Sequence, residues 1–154
     1  VLMYYNMGSI AADSLNSIYD KKIATKYLES LKNYPLELEV ALPIYSWVVH
    51  IRESQVIGLR NKIDITDFKK DSNFVFENKY NLKVKHSNYK RGTFYKVNDV
   101  LKIEAISKKE LLEMADDLDE NLKRSPKEII FYDLDEFNIK NYEKNIFKQV
   151  IARL

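Results

Sequence analysis

The chain has 154 residues, with 25 Lys+Arg against 23 Asp+Glu, a formal charge of +2 and 45% apolar residues, enough for one domain with a buried core. It has no Cys, only 3 Gly and 2 His. These counts exclude disulfide scaffolds, thiol nucleophiles, thiolate metal sites and glycine-rich phosphate or dinucleotide cradles, so the sequence calls for no cofactor and no metal.

Val1-Leu2-Met3-Tyr4-Tyr5-Asn6 is apolar at nearly every position and predicts a strand buried on both faces. Ser17 reads as a helix cap with Asp20 three residues on. Ile23, Ala24, Tyr27, Leu28 and Leu31 follow at helical spacing, until Pro35 closes the helix. Leu38 to Tyr45 predicts a second apolar strand that ends or bulges at Pro43. Trp47–Arg52 and Gln55–Leu59 flank Glu53-Ser54, the pattern of a hairpin. His50 alternates there with Val49 and Ile51, which predicts an outward-facing strand residue rather than a catalytic base.

Residues 61–104 are more polar. Leu82–His86 alternates as a half-exposed strand does, and Thr93–Val97 and Val100–Ile103 flank Asn98-Asp99, a second hairpin signal. Ser107-Lys108-Lys109-Glu110 is a capping box, followed by the stripe Leu111, Ala115, Leu118 and Leu122 and closed by Pro126. Glu128 to Asp133 predicts a third apolar strand. Asn138 or Asn141 caps a last helix carrying Ile146, Phe147, Val150, Ile151 and Leu154. The order is β-α-β, a β-rich insertion at 46–104, then α-β-α. That predicts an α/β domain over 1–154 built on parallel units with right-handed crossovers. Charge is uneven: residues 46–104 hold 12 basic and 7 acidic groups, while 105–154 hold 9 and 11.

Parallel β/α folds gather functional groups at the C-terminal ends of their strands. Here those ends supply Tyr4, Tyr5 and Asn6, then Tyr45, Ser46 and Trp47, then Asp133 and Asp135. A strand-end Asp serves as acid, base or nucleophile at a sugar, or equally as the cap of the next helix. Glycoside hydrolysis takes a pair of carboxylates. No second one falls at another strand end, because Glu37 and Glu39 sit at a strand beginning. Tyr45 and Trp47 suit an aromatic platform, or Trp47 anchors its hairpin. Ser46 lacks the G-x-S-x-G setting of a nucleophile elbow. Lys83–Arg91 with Phe94-Tyr95-Lys96 interleaves cations and aromatics, as surfaces that hold phosphates and stack bases do. A solvated hairpin reads the same way and no RNA-binding signature is matched, so the sequence does not favour nucleic acid. Asp116-Asp117-Leu118-Asp119-Glu120 is the solvated face of its helix and lacks calcium-loop spacing.

Three stretches carry a resemblance: Leu2-Met3-Tyr4-Tyr5-Asn6-Met7-Gly8, Tyr34 through Trp47, and Phe131-Tyr132-Asp133-Leu134-Asp135. Together they resemble the C-terminal part of a group of uncharacterised bacterial proteins with a glycosidase-like TIM barrel. Asn6, Trp47 and Asp135 match that pattern's strand-end residues; Asp133 departs from it, since the group often carries His there. The resemblance implies a partial (β/α) barrel with a small antiparallel insertion. It also implies a chain forming the C-terminal portion of a larger protein, since a whole barrel takes about 250 residues, and an exported or lipid-anchored setting. The site it implies has Asp135 as the catalytic candidate and Tyr5, Asn6, Tyr45, Trp47 and Asp133 as carbohydrate contacts. An unpaired sheet edge would then be covered by self-association. The alternative is a non-catalytic binding or scaffold domain that meets a partner through Lys85, Lys90 and Arg91 of the insertion. No membrane span is expected, because no run reaches about 18 apolar residues.

Overall fold

The computed structural model describes residues 1–154. They form two compact units: Val1–Ser9, Leu15–Tyr45 and Ala105–Leu154 make the first, and Ile10–Ser14 with Ser46–Glu104 make the second.

The first unit holds the strands β1 (Leu2–Met3), β2 (Val40–Pro43) and β10 (Ile129–Tyr132), and the helices α1 (Lys21–Leu31), α3 (Lys108–Asn121), α4 (Glu136–Ile139) and α5 (Ile146–Ile151). Its sheet is parallel, in the order β1-β2-β10. The register sets Met3 and Ile130 on either side of Ala41, so the pleat puts Met3, Ile130 and Tyr132 on one face. The opposite parity, Tyr4, Val40, Leu42 and Ile44, is fully buried. Helix α3 packs on β2 and touches both α1 and α5, and Phe131 meets Phe147 of α5 edge to face at 4.8 Å. On the other face Met3 is 65% and Tyr132 49% exposed. The first strand is thus a two-residue edge strand, not one buried on both sides.

Helix α1 begins later than Ser17. Asp20 caps it, accepting from the amides of Lys22 at 2.8 Å and Ile23 at 3.3 Å. Residues 16–18 are unavailable to a helix because they pair with the turn after β1. The Asn6 amide donates to the Ile18 carbonyl at 2.7 Å and the Gly8 amide to that of Ser17 at 3.1 Å. Glycine is required at 8: a Cβ there would lie 2.8 Å from the Asn16 carbonyl oxygen and the Ser17 Cα. Helix α3 has the full capping box, with Glu110 N–H donating to Ser107 Oγ and Ser107 N–H to Glu110 Oε2. Leu111, Met114, Ala115 and Leu118 form its buried stripe. Leu122 lies just past the helix end in extended backbone. Asp135 caps α4, and the last helix, α5, begins after Asn145 with no side-chain cap rather than at Asn138 or Asn141.

The second unit is an antiparallel five-stranded sheet in the order β4-β3-β9-β6-β5. Its strands are β3 (Ser46–Arg52), β4 (Gln55–Asn61), β5 (Phe74–Phe76), β6 (Asn81–Val84) and β9 (Val100–Ala105); a short helix α2 (Thr66–Lys69) and a separate hairpin, β7 (Asn88–Lys90) with β8 (Thr93–Tyr95), complete it. The β3–β4 and β7–β8 turns use left-handed pairs, Glu53-Ser54 and Arg91-Gly92, which match the strand twist. Val48, Phe68, Phe74, Leu82, Val84, Tyr95 and Leu101 are its core. The hairpin predicted across Asn98-Asp99 does not form. Val84 donates to the Asp99 carbonyl and Asn98 to that of Val84, both at 2.9 Å, so β9 runs beside β6 while β8 turns back on β7.

The chain is not a (β/α) barrel, whole or partial, and the TIM-barrel, glycoside-hydrolase-like architecture implied by the resemblance is overturned. Parallel pairing is confined to three strands of two to four residues, and the largest sheet is antiparallel. Strands separated by helices look the same in sequence whether or not they close. No helix is long and apolar enough to cross a membrane.

The two faces of the parallel sheet differ in what truncation removes. Leu42→Ala is expected to lower the unfolding free energy by about 2–5 kcal/mol and Met3→Ala by about 0.5 kcal/mol or less. Urea titration of the two variants measures the contrast.

Candidate functional site

Three tyrosines meet where the parallel strands end. Tyr5 follows β1, Tyr45 follows β2, and Tyr132 is the last residue of β10. Tyr5 and Tyr132 lie parallel, 5.4 Å between centroids and 3° between planes. Tyr45 stands edge-on to both, 6.0 Å from Tyr5 and 5.9 Å from Tyr132. Asn6 holds a left-handed backbone with φ 56°, and its Oδ1 accepts a hydrogen bond from the Tyr45 hydroxyl. That leaves the exposed Asn6 amide nitrogen as its donor group. Burial, and then Tyr132, pushes the Tyr5 phenol above its usual range.

Of the sequence-predicted site residues, the structure therefore brings together Tyr5, Asn6 and Tyr45. It adds Tyr132, which read in sequence as strand interior; its signal was its place as the last apolar residue before Asp133, matching Tyr45 before Ser46. Asp133 and Asp135 are half-buried and follow directly. The Asp133 carbonyl accepts from Asn138 Nδ2 at 2.9 Å. Asp135 Oδ1 accepts the Asn138 amide at 2.8 Å, which commits that oxygen to capping α4. Trp47 belongs to the second unit, where its indole N–H donates to Glu104 Oε2 at 2.7 Å.

The second unit buries two polar clusters that sequence reasoning missed. Glu104 and Lys102 pair at 2.8 Å inside it. The Lys102 ammonium also donates to the carbonyls of Ala11 at 2.9 Å and Ser14 at 2.7 Å, pinning the 10–14 loop. His50, predicted to face outward, is buried, and its Nε2 lies 2.7 Å from Asp99 Oδ2. Alternation gave its parity, but both faces of β3 are covered here, since Val49 and Ile51 are buried as well. Arg52 donates to Asp99 through Nε at 2.9 Å and Nη2 at 2.8 Å, and the Lys96 amide adds a bond at 2.8 Å. Burial pushes the Asp99 carboxyl up, but Arg52, His50 and the Lys96 amide outweigh it and hold it at about 2. No group of three His, Asp or Glu side chains converges to hold a metal ion.

Three cations of the insertion's hairpin region form ion pairs. Lys90 pairs with Asp71 at 2.7 Å, Lys96 with Glu53 at 3.0 Å, and Arg91 with Asp67. Compared with known protein families, with curated proteins and with solved structures, the chain matches none of them.

Because the folded pKa of Asp99 lies below its ordinary 3.8, the stability it contributes is complete above that value and is lost as pH falls through about 2. Asp99→Asn is expected to remove this acid limb and to cost roughly 3 kcal/mol at neutral pH, since it leaves the half-buried Arg52 guanidinium and the buried His50 beside a neutral group. Urea titrations at pH 7 and in the acid range, read by fluorescence of the single Trp47, measure both effects.

Proposed function

We propose that the rim formed by Tyr5, Asn6, Tyr45 and Tyr132 binds carbohydrate. The observation that carries this reading is the half-exposed Tyr132 ring stacked on Tyr5 and buttressed by Tyr45. A pyranose ring has an apolar C–H face and a hydroxyl edge. A braced aromatic ring meets the first, and phenol hydroxyls with the Asn6 amide meet the second. Bracing matters because a ring already fixed by its neighbours loses little freedom when a ligand settles on it. The place also suits a ligand, since open sheets with parallel strands present their sites beyond the carboxyl ends.

The reading is of a binding surface. Hydrolysis asks for two carboxylates across the scissile bond, and one of the two nearby in sequence, Asp135, spends an oxygen on its helix cap.

Tyr132→Ala is expected to weaken oligosaccharide binding about tenfold, the upper range for losing one stacked ring. Tyr27→Ala, which removes an exposed tyrosine of α1, leaves binding unchanged. Calorimetric titration against a panel of neutral oligosaccharides decides it. No binding by the native chain, or equal loss in both variants, rejects the reading.

A further inference from the structure

We infer that the β7–β8 hairpin of the second unit is a stacking platform for single-stranded nucleic acid, with Tyr89 as the ring that receives a base. This stands apart from the carbohydrate rim and rests on different residues.

The platform begins in the buried core. Asp99, 1% exposed, grips the Arg52 guanidinium through two hydrogen bonds. With its nitrogens so fixed, Arg52 sets its Cζ over the Phe94 ring, 5.7 Å from the centroid. Phe94 is the cross-strand partner of Tyr89, and their rings lie 5.0 Å apart at a 44° tilt. The series Asp99, Arg52, Phe94, Tyr89 ends in a ring that is 78% exposed. An aromatic held from beneath and open above is what sequence-tolerant base stacking uses, and an arginine within the stack adds to it.

Charge identifies the occupant. Between Glu77 and Asp99 the chain carries six Lys or Arg and no Asp or Glu. Asp71, Asp67 and Glu53 engage three of these cations, Lys90, Arg91 and Lys96. Lys79 sits over the Tyr80 ring at 5.2 Å. Lys83 and Lys85 flank the same segment, with Lys85 exposed. An uncharged aromatic ligand would leave these cations without a role. A single strand supplies π faces to Tyr89 and phosphates to the lysines together.

The test is fluorescence anisotropy of a labelled oligothymidylate titrated with the full chain at low and at physiological salt. The expected result is binding that weakens with salt, falls about tenfold in Tyr89→Ala and is retained in Tyr89→Trp. Lys85→Ala should weaken it at low salt and flatten the salt dependence. Inorganic polyphosphate, which has charge and no bases, should bind the native chain and Tyr89→Ala equally. The inference is overturned if the oligonucleotide does not bind at low salt. It is also overturned if Tyr89→Ala binds as the native chain does, which would make the contact one of charge alone.

Discussion

A carboxylate removed from water must be neutralised by fixed donors, and Asp99 imposes that demand on the whole second unit. Four donors answer it: His50 and Arg52 from β3, with Arg52 giving two bonds, and the Lys96 amide from the turn before β9. These groups come from distant parts of the sequence, so satisfying the charge fixes the approach of β3 to β9 and the shape of the turn at once. Burying such a group gains little stability against an apolar replacement of the same shape; what it gives is a single arrangement, because every alternative leaves a charge unpaired. The pair formed by Lys102 and Glu104 acts in the same way on the 10–14 loop, whose carbonyls complete the lysine's shell.

The sequence was most legible where the determining interactions are local. The capping box at Ser107 and Glu110 spans three residues and was read correctly, as was the β3–β4 hairpin, whose alternation lies on adjacent stretches. Reading failed where a distant group won. Asn98-Asp99 has the chemistry of a tight hairpin turn, but the Asp99 side chain is claimed by Arg52 and His50, and its backbone by Val84. Ser17 has the chemistry of a helix cap, but its carbonyl is taken by Gly8. His50 shows the limit of a period-2 pattern: alternation separates two faces without saying whether both are covered, and here Val48, Val49, His50 and Ile51 are all buried. In the rim, Tyr5, Asn6 and Tyr45 were read as the last residues of their apolar runs. Tyr132 was passed over because its run was read as ending one residue later, at Asp133.

The barrel expectation failed for a related reason. A short apolar strand followed by a helix carries the same pattern in a closed barrel and in a small open sheet, since closure depends on partners that no local stretch encodes. The insertion shows the difference. It binds its own strands in an antiparallel sheet with its own aromatic core, so it competes for chain that parallel units would need. What survives of the parallel arrangement is β1, β2 and β10, with helices against one face.

That partial arrangement has a chemical consequence at its rim. Parallel sheets are ordinarily covered on both faces, so a face carrying Met3, Ile130 and Tyr132 in the open keeps apolar surface in contact with water. Tyrosine is the aromatic that tolerates this, because its hydroxyl is solvated while its ring packs. Stacking Tyr5 on Tyr132 buries part of each ring without help from other elements, and the bond from Tyr45 to Asn6 anchors the third ring to a left-handed turn held by Ile18. The rings are thus ordered by one another. Under the proposed reading, a ligand would only replace water over surface that water solvates poorly, which suits a neutral molecule with one apolar face.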